Sequence, residues 1–156
     1  MRSLLVVPAL LVSAVGSVQG QSVQGVWKPV EMVISGGPNP GRHANDVQPG
    51  LLIISSRHYS MTFVPGFVAR PVLDDTAPDS SWRNVWDQFT ANAGTYSIRD
   101  SIFTFTPIVA KNPSVMSGKP IRTGFRAAGD SIWFTLSNDG VETRAKWVRI
   151  ERMQGR

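Results

Sequence analysis

The stretch that decides the fold is Gly25–Ser35, GVWKPVEMVIS. A glycine, one residue and a tryptophan lead a run rich in Val and Ile, which is a strand pattern. Before it lies an apolar segment of another kind. Arg2 supplies a positive start, Leu4 to Val15 (LLVVPALLVSAV) an apolar stretch, and Ser17 to Gly20 (SVQG) small residues at a cleavage point. That is the layout of a secretory signal, and it predicts residues 1–20 as a leader and residues 21–156 as one domain. The apolar stretch is shorter than the ~20 residues a membrane helix needs, and no later run is longer, so no integral membrane span is expected after cleavage.

The chain has no cysteine. An exported domain of this size must then fold on its core alone, which suits a bacterial periplasm or the medium, with the protein periplasmic or secreted. Of 16 Lys and Arg, Arg2 leaves with the leader, so 15 face 11 Asp and Glu, about +4. The basic residues Arg122, Arg126, Arg144, Lys146, Arg149 and Arg152 alternate with apolar ones, as on solvated strand faces. No basic run marks a nucleic-acid partner.

Downstream, the glycine- and proline-rich Gly36–Gly50 reads as a long loop. Leu51 to Val64 (LLIISSRHYSMTFV) reads as two strands folded at Ser56–His58. GTYSI-RD-SIFTFTP, KPIRTGFRA-AGD-SIWFTLS and FTLS-NDG-VETRAKWVRIER then read as hairpins split by short polar turns. One segment differs. In Pro78–Asn92, Trp82, Val85, Trp86 and Phe89 fall at i, i+3, i+4 and i+7, the stripe of a helix with a Ser or Asp N-cap that packs on the barrel or over its end. About eight strands in consecutive hairpins, with this helix after the third, predict an all-β, up-and-down antiparallel barrel, since closure removes the edges.

At Gly25-Val26-Trp27 the chain resembles the lipocalins, whose G-x-W opens the first strand of a calycin-type barrel. More closely, it is similar to bacterial exported lipocalin-like proteins through GVWKPVEM, PGLLIISSRHYSMTFV with Ala69–Pro71 after it, FTANAGTYSI and PIVAKNPSVM. The resemblance implies that Trp27 closes the barrel base beneath an arginine from the last strand, Arg149 or Arg152. It also implies a small lipophilic ligand inside. The T-D-Y-type segment of transport lipocalins is not evident.

The candidate site residues follow from alternation. If Trp27 points inward, Pro29, Glu31 and Val33 share its face, unless Pro29 introduces a bulge that turns Glu31 outward. Tyr59, Met61 and Phe63, then Tyr96 and Ile98, and Ile132, Phe134 and Leu136 alternate as inward positions. His58 and Tyr59 are candidates for a hydrogen-bonding pair at the barrel mouth; the alternative is a solvated histidine at the hairpin corner. Arg70, Lys111 and Asn112 follow strands and are candidates to hold an anionic headgroup; the alternative is a turn at Lys111–Pro113 with Arg70 paired to Asp74 or Asp75. His43 and His58, even with Asp46 or Glu31, lack metal-ligand spacing, so no metal and no cofactor is expected. No nucleophile elbow, dinucleotide fingerprint or P-loop occurs.

The sequence thus favours an exported binder of a small hydrophobic or amphipathic molecule. Two alternatives stand beside it. One is an isomerase- or cyclase-type enzyme using Glu31, His58 and Tyr59 in the same cavity. The other is a packed barrel whose loops and aromatic helix face meet a partner protein. Oligomeric state leaves no sequence signal.

Overall fold

The computed structural model describes residues 23–37, 41–45, 47–66 and 68–153; the leader assigned to residues 1–20, and Asp46, lie outside them. The strands are β1 (Gly25–Gly36), β2 (Arg42–Ala44), β3 (Gly50–Ile54), β4 (His58–Phe63), β5 (Thr90–Arg99), β6 (Ile102–Ala110), β7 (Ile121–Ala128), β8 (Ser131–Asn138) and β9 (Val141–Glu151). All pairings are antiparallel between neighbours, and β1 pairs β9 from Val26↔Glu151 to Gly36↔Val141. Eight strands therefore close into an up-and-down barrel. The ninth, β2, is a correction to the loop expected over Gly36–Gly50. It pairs Met32–Ile34 of β1, above the point where β3 stops pairing at Trp27↔Leu52.

Turn chemistry places the hairpins where the polar dipeptides stand. Asp100 and Ser101 both have positive φ (48° and 63°), as do Asp139 and Gly140 (48° and 76°), the twist that two-residue hairpin loops require. Two prolines mark irregularities in the ladder. Pro29 and Pro107 lack an N–H, and each stands at a register shift, Pro29/Glu31 on the β9 side and Gly94 opposite Pro107 on the β5 side.

Chain parity makes the two barrel ends unlike. Because β1 starts at one end, the connections β3–β4, β5–β6 and β7–β8 all return there, and each is a tight turn. The opposite end carries the segment around β2, residues 64–89, residues 111–120 and the β8–β9 turn. Residues 64–89 contain α1 (Asp79–Asp87), the one α-helix among the described residues, after the third barrel strand; residues 111–120 contain a 3-10 turn at Pro113–Met116.

The core lies at the tight-turn end. Trp27, Leu52, Ile54, Phe103 and Ile132 are fully buried. Phe103 centres an aromatic column, stacked on Tyr96 (centroids 4.9 Å apart), tilted on Phe105 (4.4 Å) and edge-on to Phe134 (5.4 Å). Rings at these separations add attraction beyond their burial.

Candidate functional site

Above that column the barrel is empty. A cavity of about 400 Å³ runs from buried Phe105 and Trp147 to Ile121 (36% exposed) and Leu136 (49% exposed) at the rim. It is a cup, floored by the aromatic core and open at the long-loop end. Two seams widen its mouth. The β6–β7 ladder covers only Ile102–Phe105 and Ile121–Gly124, and β1 leaves β3 above Trp27.

The lining is almost wholly apolar, and none of the described side chains along it is ionisable. Of the residues singled out in the sequence, Pro29, Met61, Phe63, Phe134 and Leu136 face the cup. The bulge at Pro29 decides the course of β1: beyond it Met32 and Ile34 line the cup, while Glu31 turns outward and its Oε1 lies 3.5 Å from His43 Nε2 on β2. Glu31 is therefore not a carboxylate inside the barrel.

Tyr59 and Tyr96 lie lower. The Tyr59 hydroxyl donates to Asn92 Oδ1 (2.7 Å), and its ring meets Phe105 edge-on at 4.8 Å. Burial pushes its phenol up to about 12. The Tyr96 hydroxyl donates to the Ser55 carbonyl (2.9 Å) in the β3–β4 turn, and burial raises its pKa as well. His58 opens β4 beside that same turn, so it belongs to the closed end, not the mouth. The set Glu31, His58 and Tyr59 does not converge. Among the described residues, no group of three His, Asp or Glu side chains could hold a metal ion.

Arg70, Lys111 and Asn112 do lie at the mouth end, but their polar atoms meet protein partners. Arg70 Nη1 donates to the Val85 carbonyl (3.4 Å), with its guanidinium 5.4 Å from the Phe89 ring; it pairs with neither Asp74 nor Asp75. Lys111 Nζ donates to the Trp86 carbonyl, stands 5.2 Å from the Trp86 ring centroid and lies 3.9 Å from Asp87 Oδ1. The last turn of α1 has no basic residue of its own. Two cations from outside the helix thus donate to carbonyls of its last turn and sit at the negative end of its dipole. Asn112 Oδ1 accepts from Ser114 N (3.0 Å) and caps the 3-10 turn.

The helix itself departs from expectation. Pro78 is its N-cap, with no side-chain cap bond, and no residue of α1 is buried. Trp82 (45% exposed) and Trp86 (57% exposed) face outward instead of packing on the barrel. Nine residues held largely through backbone carbonyls leave Trp82 and Trp86 about half exposed, with Lys111 over the Trp86 ring and Phe89 beside it.

The base matches its expectation in detail. Arg149, not Arg152, covers Trp27: the guanidinium carbon stands 4.2 Å from the ring centroid. The Trp27 indole donates to the Val23 carbonyl (3.0 Å). Gly25 has φ 150°, and a Cβ there would lie 2.5 Å from the Glu151 carbonyl and 3.1 Å from Arg149 Nη1. Only glycine lets the first strand begin so close to that arginine.

Most of the lining was missed, Asn92, Thr123 and Trp147 among it. Period two back from Tyr96 reaches Asn92, and one step of two from Arg149 reaches Trp147, so alternation carried the signal. No family model matches the chain, and neither a curated protein nor a solved structure matches it. Fold and site together define a class all the same: a closed eight-stranded barrel holding a one-ended apolar cup.

Proposed function

We propose that the protein is an exported lipocalin-like binder that holds a small hydrophobic molecule in its barrel. The observation that carries this reading is the cavity: about 400 Å³, apolar and open at one end, within the range of small-molecule sites. The ordered lipocalin-like motifs and the Trp27–Arg149 base support it further. The leader-like residues 1–20 support export to the periplasm or medium. Native mass spectrometry of protein recovered from an exporting host tests all of this. The reading expects a chain starting at Gln21 and carrying an adduct of a few hundred daltons that organic solvent extracts. A protein without an adduct that also fails to take up a hydrophobic dye sinks it.

A second reading is favoured by one observation, the outward Trp82 and Trp86. Exposed aromatic pairs are characteristic of protein contacts. On this reading α1 meets a partner protein beside the mouth. The double substitution Trp82→Ser/Trp86→Ser would then abolish a co-purifying protein and leave dye uptake unchanged; retention of the partner rejects it.

A further inference from the structure

The cup is apolar, yet one polar group on its wall is oriented and unused. Asn92 enters from β5 opposite Met61 on β4, and both line the cavity. It is 8% exposed. Its Oδ1 accepts from the Tyr59 hydroxyl at 2.7 Å, which leaves Nδ2 as the group the amide has to offer. Nδ2 donates to no described residue. Among the described residues, no sealed side-chain nitrogen or oxygen is left without a partner, so Nδ2 reaches accessible space. Asn92 borders a shallow outer groove beside Ala91 and Ala93 as well as the cup, and its bond to buried Tyr59 holds the amide on the inner side.

The other polar lining groups are placed differently. Thr123 donates its hydroxyl proton to the Thr135 carbonyl (2.8 Å). Gln48, in the β2–β3 connection, and Thr143, opposite the exposed Leu136, stand at the rim. Asn92 is therefore the deep donor. No cation shares the lining with it, and Arg70 and Lys111 are engaged by the carbonyls of α1. A carboxylate or phosphate lowered into such a cup would lose its hydration with no opposite charge to meet. An uncharged oxygen would gain a hydrogen bond there and leave the rest of the ligand on apolar wall.

Building on the reading of the cavity as a binding site, we propose that it selects neutral ligands bearing a hydrogen-bond acceptor, a ketone, aldehyde or ester carbonyl, inserted carbonyl-first against Asn92 Nδ2. Tyr59 is the positioning residue: its hydroxyl donates to Oδ1 and leaves Nδ2 to the ligand.

The test is displacement of Nile red, a neutral dye, from the full-length mature chain by three probes of matched length: 2-dodecanone, dodecane, and dodecanoate at pH 8. One hydrogen bond of ordinary strength predicts that 2-dodecanone displaces the dye about 5–10-fold more tightly than dodecane, with dodecanoate weaker than the ketone. Asn92→Leu should erase the ketone preference and leave dodecane unchanged. Because that change strands the Tyr59 hydroxyl, the pair Tyr59→Phe/Asn92→Leu, which removes both partners, provides a variant expected to keep its fold. A ketone preference that survives in the double variant overturns the proposal, as does tightest binding of dodecanoate. Equal binding of ketone and alkane by the unaltered protein overturns it too, while leaving the apolar binding site intact. Failure of Nile red and all three probes to bind overturns the binding site itself.

Discussion

Arg149 lies flat over Trp27, 4.2 Å from guanidinium carbon to ring centroid, with its side chain only 6% exposed and its Nε 3.1 Å from Asp130 Oδ1. The arginine closes the base by stacking, by charge and by its bond to the Gln24 carbonyl at once. Arg149→Ala should cost about 3 kcal/mol in a urea titration, since it opens a void over Trp27 and removes the cation that covers its ring. Arg149→Lys should recover less than half, because an ammonium neither stacks as a plane nor forks.

Alkaline stability should be set at the floor of the cup. The Tyr59 phenol is raised from an ordinary value of 10 to about 12 in the folded chain. Its contribution is complete below pH 10, where both states are protonated. It is lost between pH 10 and about 12, where only the unfolded chain ionises, at about 1.4 kcal/mol per pH unit. Tyr96 is raised in the same direction and adds to the same window. Tyr59→Phe should be less stable at pH 7 and show a shallower fall above pH 10. An unchanged slope would mean that this phenol is not the group responsible.

At the lower edge of the scale, Asp130 accepts a hydrogen bond from Arg152 and lies under the charges of Arg152 and Arg149, which hold its carboxyl below the ordinary carboxylate value. This contribution is present above about pH 4 and disappears as pH falls through the depressed value. Being exposed, it should be small and screened by salt. Acid titration of Asp130→Asn in low salt should show a slightly flatter profile than that of the unaltered chain.

Gly94 should not tolerate a methyl group. It sits opposite the β6 bulge at Ile108, where a Cβ would fall 2.0 Å from the Thr106 carbonyl and 2.8 Å from Pro107 Cα. Both are backbone atoms and neither can swing away. Gly94→Ala must therefore part β5 from β6, with a destabilisation on the order of 3 kcal/mol or more, read from the urea midpoint.

The helix should behave as an independent attachment. Lys111→Met keeps the stem against Trp86 but removes the donor to the Trp86 carbonyl and the charge beside Asp87. Amide exchange in Asp79–Asp87 should accelerate several-fold while the barrel strands stay protected, with a change in global stability below about 1 kcal/mol.

The hairpins were legible because each carries its turn dipeptide between alternating runs, and Gly25-Val26-Trp27 announced the base. Two things were not. Glu31 depended on whether Pro29 bulged the strand, which the ladder to β9 decides and local alternation does not. His58 stood between a place at the mouth and a solvated hairpin corner, and parity decides for the corner: if Trp27 marks the base, the turn after the next barrel strand must return there. The short β2 escaped because three residues between glycines show no period, and their pairing is imposed by the bare edge of β1. Asn92 was legible by alternation from Tyr96, but it lay within Pro78–Asn92, read as helical, whereas β5 already begins at Thr90. The helix stripe misled in the opposite sense, since its spacing is amphipathic while its anchor is backbone.

The β1–β9 seam has a consequence for the order in which the chain folds. The bond between Arg149 and Gln24 spans 125 residues, and closing a loop of that length costs about 3 kcal/mol more in entropy than closing a five-residue turn. The two-residue hairpins form across short gaps and draw the ends of the sheet together first. Trp133, between Arg126 and Lys146 on β7 to β9, senses those local hairpins. Trp27 is covered only when the first strand meets the last. The molecule thus carries separate clocks for zipping and for closure, and single-tryptophan variants would let a stopped-flow trace time each one.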